Sequence, residues 1–235
     1  PSSYGSHGRV AIEMSMSLRV VVPPHPLIGH WLTLLRDQDT PPPLFTTAMA
    51  ELGRWLTYEA VRDWLPHQRV TVQTPLASTA GTVVDSSVPL LAVPILRAGL
   101  GLWQGAQAVL PTARVAHVGL RRNEADATAE WYYDALPDTI GPQVGVLVFD
   151  PMVATAGSLV QVLERLESKG VRGDRLRVIT ALAARPGLNT LGQRFPDLTL
   201  YTACIDADLD AASRIVPGLG DAGDRLFGTP SAAIL

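Results

Sequence analysis

Hydrophobic positions change their spacing several times along the chain, and these changes outline the secondary structure. After three prolines at 41–43, apolar residues recur every three or four positions from Leu44 to Trp64, which predicts a long helix ended by Pro66. Short continuous apolar runs then alternate with helical patterns. The runs predict buried strands at residues 90–95, 114–120, 144–149, 176–183 and 198–204, and the patterns between them predict helices at about 99–109, 158–169 and 188–195.

This alternation predicts an α/β fold with a central, mostly parallel sheet flanked by helices. In such a sheet, ligands bind beyond the carboxyl ends of the strands. Residues 121–142 interrupt the alternation with a polar stretch that contains three aromatic residues at 131–133, which predicts a projecting arm or flexible hairpin. Residues 1–19 are expected to form a loose tail, and residues 20–235 a single domain.

The composition excludes several classes of protein. Only 17% of the residues are charged and the net charge is -3, so the chain is a packed globular protein without a basic surface for nucleic acid. No apolar run is long enough to cross a membrane. Cys204 is the only cysteine, which favours a reducing compartment, and we expect a cytoplasmic location. Lys169 is the only lysine among 19 basic residues, so a bound anion must rely on arginine, backbone N–H groups or metal.

The clearest candidate site follows the strand predicted at 144–149. The chain passes through Asp150 into a turn of small and hydroxyl residues, and a helix is predicted to begin at Ser158. The N–H groups and dipole of a helix start favour an anion, and Thr155 and Ser158 add hydroxyl donors. Asp150 is placed to accept hydrogen bonds from sugar hydroxyls. A tight turn with Ser158 as the helix N-cap explains the same residues equally well.

Three further segments offer groups for anions or flat rings. Arg97 ends a predicted strand before a Gly-rich helix start, which suits a pyrophosphate clamp or a structural ion pair. Residues 121–124, Arg-Arg-Asn-Glu, can fold over a phosphorylated substrate or form a solvated charged run. Residues 215–225 contain three glycines, one proline and two aspartates. They can present backbone groups to a planar ring and a carboxylate to a metal, or form an ordinary surface turn.

Taken together and in this order, these segments resemble the uracil phosphoribosyltransferase family. Residues 150–158 are similar to the family's phosphoribosyl-pyrophosphate loop, and residues 215–229 to its uracil-binding segment. Several ordered motifs are more specific than any one alone, and the similarity extends over residues 20–229. It implies a type I phosphoribosyltransferase fold with a projecting β-arm and a small base-binding hood at about 205–229. It also implies a homodimer or larger homo-oligomer.

The resemblance implies a pyrimidine-salvage enzyme that uses Mg²⁺ and transfers phosphoribosyl from phosphoribosyl pyrophosphate to uracil, giving UMP and pyrophosphate. Its implied catalytic residues are Arg97, Arg122 and Asp221, and Asp221 is expected near the magnesium-bound cosubstrate. The implied phosphoribosyl-pyrophosphate ligands are Arg97, Arg122, Asp150, Pro151, Met152, Val153, Ala154, Thr155, Ala156, Gly157, Ser158 and Asp221. The implied uracil ligands are Ile215, Gly220, Asp221 and Ala222.

Five positions depart from the family pattern. Ala156 replaces a common glycine, Asp210 replaces an asparagine, Ser213 replaces a glycine, Arg214 replaces a tyrosine that covers the base, and Arg121 replaces an aromatic residue. A Cβ at position 156 carries a cost if the backbone there needs a positive φ. These departures leave two alternatives open: a non-catalytic phosphoribosyl-pyrophosphate-binding regulator on the same fold, or a transferase for another base.

Overall fold

The computed structural model describes residues 18–122 and 129–229, in which helices cover both faces of a central sheet. The helices are α1 (Pro26–Arg36), α2 (Pro42–Ala60), α3 (Gly99–Ala106), α4 (Gly157–Ser168), α5 (Arg185–Arg194) and α6 (Ala222–Phe227). The strands are β1 (Arg19–Val21), β2 (His67–Gln73), β3 (Ser78–Val84), β4 (Leu90–Leu96), β5 (Arg114–Val115), β6 (Val118–Arg122), β7 (Ala129–Asp134), β8 (Gly145–Phe149), β9 (Met152–Val153), β10 (Leu176–Ala184), β11 (Thr199–Asp206), β12 (Asp208–Leu209) and β13 (Ile215–Val216).

The main sheet has the strand order β1-β11-β10-β8-β4-β6-β7, with β5 paired to β4 and β9 paired to β10. Its neighbouring strands are parallel except for β6 and β7, which pair antiparallel at one edge. The predicted α/β architecture with a mostly parallel sheet is therefore confirmed. Because the central strands are parallel, their carboxyl ends lie along one edge of the sheet, where ligands of such folds bind.

Alternate residues of the central strands supply the two halves of the core. In β8, Leu147 and Phe149 face the cluster formed with α1, α2 and α3, whereas Val146 and Val148 face the cluster formed with α4 and α5. All five residues of β8 and all nine of β10 are buried. Burial on both faces explains why β8 is a continuous apolar run and why β10 is mostly apolar, with only Arg177 and Thr180 as buried polar residues.

Helix α2 ends earlier than its apolar spacing predicts. The helix stops at Ala60, and residues 61–64 form turns in which Arg62 N–H donates to Glu59 O and Trp64 N–H donates to Val61 O. The C-cap residue Val61 already departs from helical backbone, with φ -103° and ψ 4°, and Pro66 disfavours a return to helix at Leu65.

The projecting arm or flexible hairpin predicted at residues 121–142 lies partly outside the described residues, and its described part contributes to the antiparallel β6–β7 hairpin. Strand β7 lies within that range and belongs to the main sheet through its pairing with β6. A second hairpin, β2–β3, was not predicted, and it forms a separate two-stranded sheet whose residues are mostly exposed. With little of either face buried, this hairpin carries no clear apolar alternation, which is why the sequence pattern did not reveal it.

The remaining domain predictions are tested only in part. The loose tail predicted at residues 1–19 lies outside the described residues apart from its last two, and Arg19 already pairs with Thr199 in the sheet. Across the described parts of the chain, no helix combines the length and apolar character needed to span a membrane.

Candidate active site

Two cavities of about 250 Å³ each adjoin at the carboxyl ends of β4 and β8. The first is lined mainly by residues 154–158 of the loop between β8 and α4, and the second by residues 221–223 near the C-terminus. Arg97, Ala98, Asp150 and Met152 line both cavities. The loop after β8 and the Gly-rich C-terminal segment therefore open onto one face of the molecule.

Backbone hydrogen bonds to β10 hold the start of the first loop. Asp150 N–H donates to Ile179 O at 3.1 Å, and Pro151 O accepts from the N–H groups of Ala181 and Leu182 at 3.0 and 3.1 Å. Strand β9 then pairs with β10 through Met152 and Val153. Because these bonds involve only the main chain, the loop's course is fixed while its side chains remain available for a ligand.

Helix α4 begins at Gly157, and the residue before it has a backbone conformation that is uncommon for a residue other than glycine. Ala156 is the N-cap and has φ 67° and ψ 9°, in the left-handed region. The alternative in which Ser158 is the N-cap is therefore wrong, because Ser158 already lies in the first turn. The free N–H groups of that turn and the dipole of a 12-residue helix make this end favourable for an anion.

The carboxyl group of Asp150 is the most strongly perturbed acid of the site. Burial raises the pKa of Asp150 to about 7, and a hydrogen bond from the Met152 N–H opposes this only partly. The side chain keeps some contact with both cavities. A carboxyl that ionises near neutral pH can accept hydrogen bonds from hydroxyl groups and responds strongly to a nearby cation.

Arg97 lies between the two cavities, and its side chain is 55% exposed. Its Nη2 is 3.7 Å from Asp224 Oδ1, and its guanidinium lies 5.5 Å from the centre of the Phe227 ring. The carboxylate is too distant for a strong hydrogen bond, so the guanidinium retains donors for an anion. From the sequence, Arg97 could either clamp a pyrophosphate or form a structural ion pair. In this geometry it pairs loosely with Asp224 and can still bind an anion.

The C-terminal segment contributes backbone turns and one capping carboxylate. Gly220 has φ +80°, and Asp221 is the N-cap of α6, where its Oδ1 accepts from Asp224 N–H at 2.9 Å. Asp221 and Ala222 line the second cavity. Ile215 is buried in the core and pairs with Leu209, and neither it nor Gly220 is among the residues that line the two cavities.

The other predicted ligands either line a cavity, are buried, or have a side chain outside the described residues. Ala154, Thr155, Gly157 and Ser158 line the first cavity, Pro151 lines the second, and the side chain of Val153 is buried beneath the loop. The backbone of Arg122 pairs with Ala129 in the edge hairpin, and its side chain lies outside the described residues.

The substituted hood positions form a closed turn. Asp210 Oδ1 accepts from the N–H groups of Ala212 and Arg214 at 2.9 and 2.8 Å, as an asparagine oxygen can. These backbone hydrogen bonds, with that from Arg214 the stronger, lower the pKa of Asp210. The Arg214 side chain is 79% exposed and lies 3.5 Å from Asp210 Oδ2. Asp210 thus preserves the local turn, and Arg214 is paired to it.

Sequence reasoning missed a set of charged residues beneath this segment. Arg36 makes two hydrogen bonds to Asp206, at 2.7 and 3.0 Å, and one to Gly218 O at 3.0 Å. Arg225 donates to the carbonyl oxygens of Leu35, Asp37 and Leu219. Asp206 ends strand β11, much as Asp150 directly follows strand β8. An acidic residue at the end of a buried strand was therefore a sequence signal that could have pointed to Asp206.

The carboxylates near the cavities bear on metal binding. Asp150 and Asp221 both line the second cavity. Over the ranges that the structure describes, no group of three or more His, Cys, Asp or Glu side chains could enclose a metal ion. A pair of carboxylates suits Mg²⁺, which usually binds one or two carboxylates together with water and substrate phosphates.

The chain is similar over nearly its whole length to known proteins. Residues 22–229 match the family model described as uracil phosphoribosyltransferase. A curated relative of that name from Synechococcus elongatus is 56% identical, with 92% of this chain and 100% of the relative covered. An Arabidopsis thaliana relative named uracil phosphoribosyltransferase, chloroplastic, is 42% identical, with 93% of this chain and 74% of the relative covered.

A solved structure agrees with the same architecture. The structure of a protein from Aquifex aeolicus superposes with a TM-score of 0.81 at 33% identity, covering 91% of this chain and 100% of that chain.

Proposed function

The chain belongs to the uracil phosphoribosyltransferase family, and we propose that it transfers phosphoribosyl from phosphoribosyl pyrophosphate to uracil. The products are UMP and pyrophosphate, and the activity is one of pyrimidine salvage. The observation that carries this proposal is the convergence of Arg97, Asp150 and Asp221 with an anion-attracting helix start on two adjoining cavities.

The loop at residues 154–158 is proposed to hold the 5-phosphate of the ribose. Backbone N–H groups in the first turn of α4 and the hydroxyl groups of Thr155 and Ser158 supply the donors. Asp150, at the boundary of both cavities, is proposed to accept hydrogen bonds from the ribose hydroxyls. A bound cation beside Asp150 would favour its ionised form and lower its pKa.

Arg97 is proposed to stabilise the leaving pyrophosphate. Breaking the bond at the anomeric carbon leaves oxocarbenium character on the sugar and negative charge on the leaving oxygens. A guanidinium placed where that charge develops stabilises the transition state more than the ground state, by about 3 kcal/mol. Arg122, by the family resemblance, is proposed to act on the same group.

The two carboxylates at the second cavity are consistent with a requirement for Mg²⁺. Asp150 and Asp221 would hold the ion through water and substrate oxygens, and the bound ion would neutralise charge on the pyrophosphate. Uracil is proposed to lie against Asp221 and Ala222 and the adjacent backbone of Gly220. Ile215 would support this surface from the core.

We propose that the protein forms a homodimer or larger homo-oligomer. The β2–β3 hairpin leaves apolar side chains in solvent, including Leu76, which is 97% exposed at the tip. An apolar groove of about 630 Å³ lies beside its base, lined by residues such as Val61, Leu65 and Val83. Light scattering coupled to size exclusion tests the proposal, and a monomer at micromolar concentration would contradict it.

We also propose that the protein works in the cytoplasm. The single cysteine, Cys204, supports a reducing compartment. The plant relative named chloroplastic makes an organelle the other location to test. Imaging of a fluorescent fusion in the source cell decides between them.

The enzymatic proposal is tested by incubating the purified protein with uracil, phosphoribosyl pyrophosphate and Mg²⁺ and measuring UMP. Replacing Asp221 by Asn should reduce turnover by about 100-fold or more while the protein stays folded. Binding of phosphoribosyl pyrophosphate without UMP formation would favour the regulator instead. Product formed only with another base would favour a different transferase.

A further inference from the structure

Three successive peptide groups of the C-terminal segment are held by charged side chains, two from elsewhere in the fold and one, Arg225, from the end of the segment itself. Gly218 N–H donates to Asp206 Oδ2 at 3.0 Å, and Gly218 O accepts from Arg36 at 3.0 Å. Leu219 O accepts from Arg225 at 2.7 Å. The peptide groups that join residues 217 to 218, 218 to 219 and 219 to 220 are therefore each fixed at one atom.

The supporting side chains are themselves rigidly placed. Asp206 is 5% exposed and Arg36 is 24% exposed, and the two form a bidentate pair. Burial acts to raise the pKa of Asp206, but the hydrogen bonds from Arg36 and from Gly218 N–H outweigh it, so the pKa lies below its usual range. Arg225 lies 4.2 Å over the Phe45 ring and also donates to carbonyl oxygens at the end of α1.

Fixing Leu219 O also orients the next N–H group. In a trans peptide the carbonyl and the N–H of the following residue point in opposite directions, and the bond from Leu219 to Gly220 is trans. With Leu219 O turned toward Arg225, the Gly220 N–H is turned away from it. The carbonyl oxygens of Gly218 and Leu219 are already occupied, which limits the backbone groups that this segment can offer to a planar base.

We propose that Arg36, Asp206 and Arg225 are positioning residues for base recognition, because they orient the backbone of residues 218–220, which includes Gly220 and leads into Asp221 and Ala222. This rests on the proposed function and goes further by naming what fixes specificity for the base. None of the three lines the two cavities, so they act through the main chain and not by contact with the substrate.

The test compares Arg225→Met and Arg36→Met with Arg177→Met as a matched control. Arg177 is more buried than the other two arginines and also donates to a backbone carbonyl, that of Ala60, but it lies at the start of β10, the opposite end of the sheet. We expect KM for uracil to rise by about 10- to 100-fold in the first two variants, the usual effect of losing a charged hydrogen bond. KM for phosphoribosyl pyrophosphate should stay within about 2-fold, and Arg177→Met should lower Tm without changing the ratio of the two KM values.

A conservative variant and a measurement independent of turnover complete the design. Arg225→Lys keeps a donor, so it should recover part of the affinity for uracil. Hydrogen–deuterium exchange without ligand should be faster across residues 215–222 in Arg225→Met and Arg36→Met, and unchanged at residues 150–158. If exchange and KM for uracil instead match those of Arg177→Met, the three residues only stabilise the fold and the inference is overturned.

The two proposals fail in distinguishable ways. If the unmodified protein neither forms UMP nor binds it in calorimetry, the proposed function fails. The exchange measurement still decides whether these side chains hold residues 218–220.

Discussion

The phosphate loop at residues 150–158 and the base segment at residues 215–225 meet at the same cavities but are supported differently. The phosphate loop is contiguous with buried strand β8 and bonded to β10 through its main chain. The base segment begins with the two-residue pairing of β13 to β12 and depends on Arg36, Asp206 and Arg225. The phosphate loop takes its shape from neighbouring backbone, whereas the base segment takes its shape from charged side chains, of which Arg36 comes from a distant part of the chain.

This difference suits the ligands proposed for each region. A phosphate is recognised by charge and by backbone N–H groups, so a fixed loop serves any substrate that carries it. A planar base must be distinguished from similar rings by the direction of a few hydrogen bonds. When a side chain holds a single peptide group, replacing that side chain can change the direction of one backbone hydrogen bond to the base while the strand pairing of the sheet stays the same.

The largest expected effect concerns Arg97, which lines both cavities. Arg97→Met should lower kcat/KM for phosphoribosyl pyrophosphate by about 100-fold, since one charged contact in a transition state contributes about 3 kcal/mol. Because the side chain is more than half exposed, Tm should change little. Steady-state kinetics with both substrates, beside the exposed control Arg62→Met, measure the effect.

If Arg97→Met also weakens UMP binding strongly, the two regions do not act independently. The contact with Asp224 and the approach to Phe227 give such coupling a physical route.

The second prediction tests the backbone support of the phosphate loop. A Cβ at Gly187 in α5 would overlap the carbonyl oxygen of Ala154, so Gly187→Ala must displace either the helix or the loop. We expect a loss of about 2 kcal/mol in the free energy of unfolding and a higher KM for phosphoribosyl pyrophosphate. Denaturant unfolding and kinetics check both.

Gly192→Ala is the matched control in the same helix. Its Cβ would meet Leu18 Cβ at 3.6 Å, an ordinary contact, so the variant should be as stable as the original or slightly more so. Equal effects at positions 187 and 192 would show that α5 does not support the loop.

The contrast between the regions also explains what could be predicted from sequence. The phosphate loop is encoded within a short contiguous segment: a buried strand, an acid, small residues and a helix start. Its strand, its turn and the place of Asp150 were therefore foreseen. The helix start was misplaced by one residue, because Ser158 is a favourable N-cap residue and alanine is not, although the family's glycine at position 156 had indicated the positive φ observed there.

The support of the base segment could not be predicted in this way. Arg36 is 182 positions from Gly218, and Arg225 is anchored to Leu35, 190 positions away, so these contacts exist only in the folded chain, although Arg225 itself is only six positions from Leu219. The β2–β3 hairpin was missed for the opposite reason. It buries little of either face, so no core imposes an apolar pattern on it.

The third prediction concerns the protonation of Asp150. Its folded-state pKa of about 7 exceeds the ordinary 3.8, so the folded protein binds a proton more tightly and stability falls as pH rises from about 4 to 7. Asp150→Asn removes this loss. Relative to the original protein, the free energy of unfolding of the variant should rise little at pH 4 and by about 2 kcal/mol at pH 8. The full pKa shift sets an upper limit of about 4 kcal/mol, and the effect is smaller because the carboxyl retains solvent contact.

Unfolding free energies at several pH values measure this difference. Asp85→Asn is the control, because hydrogen bonds from the Ser87 hydroxyl and N–H lower the pKa of Asp85. Its effect on stability should therefore change with pH in the opposite direction to that of Asp150→Asn. A difference between Asp150→Asn and the original protein that is independent of pH would contradict the perturbed carboxyl.

The smallest expected effect concerns Ala156, whose φ of 67° an alanine adopts at a cost of about 1–2 kcal/mol. Ala156→Gly relieves that cost but gives up the burial of the methyl group and increases the freedom of the unfolded chain, each of which offsets part of the gain. We therefore expect a net stabilisation of about 0.5 kcal/mol or less, with KM for uracil unchanged. Because the loop is held by its main chain through β9 and β10, relieving one strained residue should leave its course intact. Thermal unfolding together with KM for phosphoribosyl pyrophosphate measures this, and a KM that rises several-fold would mean that the alanine methyl, and not the backbone alone, shapes the phosphate loop.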